Sequence, residues 1–105
     1  MSQPTLDVHS AAADEIRRAK RWYAERSAKA KDRFVAELDA AMERVVAEPE
    51  RWPAYLHKTQ RCRLRDFPYM NMVVYRVVGP LIQVVAVAHT SRRPGYWRKR
   101  RLNES

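Results

Sequence analysis

The sequence predicts an α+β fold: an N-terminal strand, an antiparallel helical hairpin and a three-stranded antiparallel meander, with the helices packed on one face of the sheet. Three observations predict it. Apolar residues recur at helical spacing through two stretches of the first half, Ala12 to Tyr23 and Ala30 to Val45. The second half turns to β-branched and aromatic runs, Tyr69 to Val77 and Leu81 to Ala88. Val78-Gly79-Pro80 then punctuates those two runs as a hairpin turn.

Thr5-Leu6-Asp7-Val8-His9 alternates apolar and polar residues and reads as a short strand. Ser10 is placed as the N-cap of the helix that follows, with Asp14 and Glu15 near its positive end and Asp14 within reach of Arg18. Ala12, Ile16, Ala19 and Tyr23 form its apolar stripe, with Trp22 beside it. A second stripe runs Ala30, Phe34, Leu38, Ala41, Met42 and Val45, and ends at Glu48 because Pro49 disfavours helix in the residue before it. No glycine or proline separates the stripes. A single helix over 11–48 would be roughly 57 Å long, too long for a compact chain of this size. A tight turn is therefore expected at Arg26-Ser27-Ala28, with Ser27 as a cap.

Pro49-Glu50-Arg51-Trp52-Pro53 reads as a loop. Arg61-Cys62-Arg63-Leu64-Arg65 alternates strictly, which places three arginines on one face of a strand and Cys62 and Leu64 on the other. A hairpin symmetric about Gly79-Pro80 opposes Arg76 to Gln83, Val74 to Val85 and Met70 to His89. In that register Arg76, Gln83 and His89 share one face with Met72, Val74, Val85 and Val87. Tyr75, Val73, Val84, Ala86 and Ala88 share the other, which is the better partner for the helices. A slip of one residue would exchange the faces.

The chain has 105 residues, 46% of them hydrophobic, and one domain spanning 1–105 is expected. No apolar run approaches the ~20 residues of a bilayer span, and the N-terminus lacks a signal-peptide pattern, so the expectation is a cytoplasmic protein without a membrane partner. Cys62 is the only cysteine, which excludes an internal disulfide and a cysteine-based zinc site. His9, His57 and His89 are not clustered, and no metal or cofactor is expected. The net charge is +9. Residues 1–50 hold nine Lys/Arg against ten Asp/Glu, and residues 51–105 hold twelve against two. Such an asymmetry suggests a polyanionic partner, a nucleic acid or an acidic protein segment.

Two groups of residues carry candidate chemistry. Residues two apart along a strand are separated by about 6.6–6.8 Å, close to the spacing of phosphates in an extended single strand. Arg61, Arg63 and Arg65 are therefore candidate phosphate contacts, or alternatively charges that guard a sheet edge against pairing. His89 stands at the end of the last strand, where an imidazole can exchange protons. Arg92 and Arg93 follow closely enough to stabilise negative charge, and Tyr96 and Trp97 can stack or donate hydrogen bonds. Together these residues would suit a metal-free ribonuclease; the alternative is a structural His89 that caps the strand, with Tyr96 and Trp97 in the core.

The sequence resembles the RelE/ParE superfamily of toxins from type II toxin–antitoxin systems, closest to the ParE-like, plasmid-stabilisation branch. The resemblance is carried by Trp22-Tyr23, Phe34 with Leu38, Pro49-Glu50-Arg51-Trp52-Pro53, Arg63, Phe67-Pro68-Tyr69, Val74-Tyr75, and Ala88-His89 with Arg92-Arg93-Pro94-Gly95-Tyr96-Trp97. It implies a small sheet with a helical hairpin, and a growth-inhibiting toxin masked by an antitoxin with an acidic or amphipathic C-terminal segment. ParE-like members act on DNA gyrase without known nuclease activity. RelE-like members are endoribonucleases that cut messenger RNA on the ribosome. The first activity is expected here. The second is the alternative, with His89 and Tyr96 as catalytic groups, and a basic nucleic-acid-binding module is a third reading. Arg61, Arg63, Arg65, Arg76, Arg92 and Arg93 are the candidate target- or phosphate-binding residues in either branch.

Overall fold

The computed structural model describes residues 5–65, 71–89 and 92–100. Strand β1 (Thr5–Val8) leads into helices α1 (Ser10–Arg26) and α2 (Ala28–Ala47). Then follow β2 (Ala54–Tyr55), a one-turn 3₁₀ segment (Leu56–Lys58), β3 (Thr59–Arg63), β4 (Met72–Val78) and β5 (Leu81–Ala88). The five strands form one sheet in the order β1-β5-β4-β3-β2, antiparallel except where β1 runs parallel to β5. The α+β class and the helical hairpin are as the sequence predicts. The two-residue β2 was not expected.

The hairpin turn falls at Ser27, whose extended backbone breaks the helix (φ −170°) and whose Oγ accepts the amide of Ala30 at 2.9 Å. One local expectation is corrected at the start of α1. His9 is the N-cap there, its Nδ1 accepting the amide of Ala11 at 3.0 Å, and Ser10 is already helical. Asp14 pairs with Arg17, one turn away on an exposed surface, rather than with Arg18. The arginine strand also lies two residues earlier than the alternation suggested, so Arg65 falls in the turn after it.

The helices bury Ala12, Tyr23, Phe34, Leu38, Ala41 and Val45 against Cys62, Leu64, Val73, Tyr75, Ile82, Val84 and Val87 of the sheet. At roughly 1.5–3 kcal/mol for each large apolar side chain removed from water, this layer supplies most of the drive to fold. Tyr75 closes the lower margin, its hydroxyl donating to the carbonyl of Pro49. The opposite face of the sheet has its own apolar cluster of Met72, Val74, Val85, Ala86 and Ala88, covered by Trp97 and flanked by Tyr55 and Tyr96.

The register of β4 on β5 starts as expected, with Val78 opposite Leu81 and Arg76 opposite Gln83. It then slips. Tyr75 pairs with Val84 but Val74 pairs with Ala86, so Val85 is the extra residue of a β-bulge. The expected pairing of Val74 with Val85 is thereby overturned, and every later residue of β5 changes sides. Ala86 and Ala88 join the face away from the helices, Val87 enters the helix-side core, and His89 follows Val87. The run Val84-Val85-Ala86-Val87-Ala88 is apolar at every position, so its pattern carries no phase. The expected strand start at Tyr69 and the pairing of Met70 with His89 lie outside the described residues.

Candidate functional site

The bulge lies where β5 loses its neighbour. β1 accompanies β5 only to the pair Val8–Val84, after which the chain turns into α1. The next edge groups of β5 would be unpaired, and an unpaired buried amide or carbonyl is costly. Two side chains replace the missing strand. Glu15 Oε1 accepts the amide of Val87 at 3.0 Å, and Arg100 Nη1 donates to the carbonyl of Val85 at 2.9 Å. Glu15 and Arg100 also pair with each other through two bonds, Nη1 to Oε1 at 3.0 Å and Nη2 to Oε2 at 3.1 Å.

Glu15 is the hub of this clamp and is only 9% exposed. It also accepts a hydrogen bond from the Tyr96 hydroxyl, and Arg92 Nη1 stands 3.9 Å away. The guanidinium carbons of Arg92 and Arg100 lie 4.0 and 5.0 Å from the centre of the Tyr96 ring. Burial pushes the Tyr96 phenol well above its ordinary range, the hydrogen bond to Glu15 and that carboxylate's charge push it further, and the two arginines oppose the shift only in part. Tyr96 is thus a neutral hydrogen-bond donor and a poor proton acceptor.

Above the clamp lies a cavity of about 400 Å³ lined by Glu15, Arg18, Ala19, Trp22, Tyr23, Asn71, Val87, His89, Arg92 and Tyr96. Positions 15, 18, 19, 22 and 23 of α1 face it because they recur at three- and four-residue steps. Asn71, almost fully buried, donates from Nδ2 to the Tyr23 hydroxyl at 2.8 Å and fixes one wall. Trp22 is the exposed wall, with the Arg26 guanidinium 3.2 Å from its ring centre. A pocket of this kind, apolar walls with Arg18 and Arg92 among its lining groups, suits an apolar group that carries an acidic neighbour.

The expected site residues divide between two places. His89, Arg92 and Tyr96 meet at the cavity. Arg61, Arg63 and Arg76 share the opposite face: Arg61 stands across from Val74 and Arg63 across from Met72, and Arg76 is two residues on from Val74. The expected grouping of Arg76 with His89 is therefore corrected by the bulge. Arg65 and Arg93 are exposed and line neither wall of the cavity.

On that opposite face the Arg61 guanidinium lies 4.7 Å from the centre of the Tyr55 ring, and Tyr55 stacks on Trp97 at 5.3 Å. Gly95 (φ +80°) lets the C-terminal segment approach this corner, since a Cβ there would stand 2.9 Å from His57 Nε2. His57 and Lys58 both hold left-handed backbone angles, φ 58° and 62°.

Glu15 and Arg100 are the functional-site residues the sequence reading passed over. Glu15 lies three residues after Ala12 and four before Ala19, on the buried stripe. A carboxylate in that position signals a buried partner. Nothing local marks Arg100 as that partner among so many cations. Among the described residues no group of three or more His, Cys, Asp or Glu is placed to hold a metal ion, and no helix is long and apolar enough to cross a membrane.

A mostly antiparallel sheet with a helical hairpin on one face and a polar C-terminal segment at its open end matches the architecture expected of RelE/ParE-like toxins. Residues 6–94 match the ParE toxin family, the toxin of the type II toxin–antitoxin system parDE, and the chain belongs to that family. It is thus the toxin component of a type II toxin–antitoxin system, a class that implies a cognate antitoxin as partner. Comparison with curated proteins returns no match.

Proposed function

We propose that the chain inhibits growth by binding DNA gyrase in the cytoplasm and performs no chemistry of its own, and that it serves plasmid stabilisation. We propose further that its antitoxin neutralises it with an acidic, amphipathic C-terminal segment. The observation that supports the first reading is that most of the cations expected of a nuclease stand apart from His89. His89 stands at the cavity on the helix side, while Arg61, Arg63 and Arg76 lie on the other face of the sheet. Tyr96 is held as a neutral donor to Glu15. A general base and the cations that would stabilise a transferring phosphate must converge on one reacting centre; of the six expected arginines Arg92 alone lines the cavity with His89, and it is drawn toward Glu15, 3.9 Å away.

The cavity supports the second reading. It offers apolar walls with Arg18 and Arg92 beside them, a fit for an amphipathic acidic segment. Seating such a segment would cover His89, Arg92 and Tyr96 together.

The purified chain is expected to inhibit DNA supercoiling by gyrase and to leave ribosome-bound messenger RNA intact. Cleavage of the message that disappears in His89→Ala would replace this reading with the endoribonuclease one. Coexpression of the adjacent open reading frame is expected to restore growth.

A further inference from the structure

Among the described residues beyond position 50 there are eleven Lys or Arg and no Asp or Glu. Three of them, Arg51, Arg92 and Arg100, reach carboxylates on the first half of the chain. Lys58, Arg61, Arg63, Arg65, Arg76, Arg93, Arg98 and Lys99 form no ion pair among the described residues. This charge is organised by the fold. Arg61 and Arg63 project from β3 on the face away from the helices, and Arg76 joins them from β4 with a buried Nε that has no hydrogen-bond partner. The stack of Arg61 on Tyr55 on Trp97 continues that face into the segment that carries Arg98 and Lys99, both exposed.

We infer that this face is a docking surface for the phosphate backbone of duplex DNA, bound without regard to sequence. Charge complementarity selects a polyanion, because the described residues of β3, β4 and the C-terminal segment bring cations and no carboxylate to this face, and Asp7, which shares it, stands two strands from Arg76 on the edge strand β1. The aromatic groups select the duplex. Proteins that hold single strands offer open rings on which bases stack. Here Trp97 is 1% exposed, Tyr55 is stacked on it, and the Arg61 guanidinium lies over Tyr55. What remains outward is guanidinium and ammonium, which read the backbone and not the bases. Arg61 is also pre-ordered by its ring contact, so less side-chain freedom is lost when it meets a phosphate. The inference goes beyond the gyrase reading and does not depend on it, since no gyrase enters the experiment.

The test is fluorescence anisotropy of a labelled duplex of random sequence with the purified full chain, at KCl from about 50 to 200 mM. For about four phosphate contacts the affinity falls roughly 100-fold over that range. Arg61→Ala/Arg63→Ala weakens binding and reduces the slope of log affinity against log salt by about 2. Arg21→Ala/Lys29→Ala removes the same charge from exposed positions of the helical hairpin and leaves the affinity within about twofold. Circular dichroism confirms that each variant is folded. Equal losses in the two double variants, tighter binding to a single strand of the same length, or the absence of salt-sensitive duplex binding would each overturn the inference. Duplex binding by a chain that fails to inhibit gyrase leaves it standing and removes only the gyrase reading.

Discussion

Arg100 and Arg63 carry the same charge and both belong to the sheet's margin, but their surroundings assign them opposite tasks. Arg100, with a side chain 18% exposed, is held by two bonds to Glu15 and one to the backbone of β5. Arg63 is exposed and forms no ion pair among the described residues. The first region is a closed electrostatic clamp around one carboxylate, and it completes the edge of β5 beyond the last residue paired with β1. The second is an open field of cations that form no ion pair among the described residues. The contrast teaches that a net charge of +9 is two populations. One is consumed in folding, and the other forms no ion pair among the described residues.

The sharpest way to break the contrast is to remove the hub. Glu15→Ala leaves Arg100, the Tyr96 hydroxyl and the Val87 amide without their acceptor. It is expected to lower stability by about 3 kcal/mol, measured by urea denaturation. Glu15→Gln should recover only part of this, because the amide lacks the charge that Arg100 faces.

Next in size is Tyr96→Phe, which deletes one bond to a charged acceptor and should cost about 1.5 kcal/mol by the same measurement. It also has a pH signature. The phenol's folded value lies above its unfolded value near 10. Its contribution is therefore complete below about pH 10 and is lost as pH rises through the unfolded value toward the folded one. Stability of the wild type should fall above about pH 10, and Tyr96→Phe should flatten that fall. Tyr75, whose phenol is pushed up first by burial and then by Cys62, contributes with the same sign, so the double variant should be flatter still.

Gly95→Ala sharpens the comparison at the joint between the two regions. The new Cβ meets His57 Nε2 and sits on a left-handed backbone, for an expected cost of about 1 kcal/mol in denaturant. The smallest effect belongs to the open field. Arg63→Ala should shift stability by no more than about 0.5 kcal/mol, because no partner is lost. A large loss of stability in this variant would show that its charge is also consumed in folding.

Much of the molecule is legible in the sequence because its signals are local. Helical spacing in Ala12 to Tyr23 and Ala30 to Val45 sets the helices. A capping serine and a chain too long to run straight set the turn at Ser27. Gly79-Pro80 sets the hairpin, and Gly79 takes the positive φ (58°) that the turn requires. The alternation of Arg61, Cys62, Arg63 and Leu64 assigns the two faces of β3 correctly, since Cys62 and Leu64 are buried and Arg63 is exposed. The sequence also places His89, Arg92 and Tyr96 close together after the last strand, and all three line the cavity.

What tertiary structure alone decided lies where the local pattern is silent or the partner is distant. The phase of β5 beyond Val84 could not be read from a run that is apolar throughout. The bulge sets it, and the bulge sits where β1 ends and side chains take over the edge. His9 as a cap, and the two-residue β2, depend on how short segments meet an already packed body. The Glu15–Arg100 clamp joins residues 85 positions apart, and in a sequence with so many cations no pattern of neighbours announces which one a carboxylate will choose. Periodicity specifies which face of an element is apolar. Only the folded chain specifies which buried backbone groups remain unpaired, and so where its charged side chains must be used.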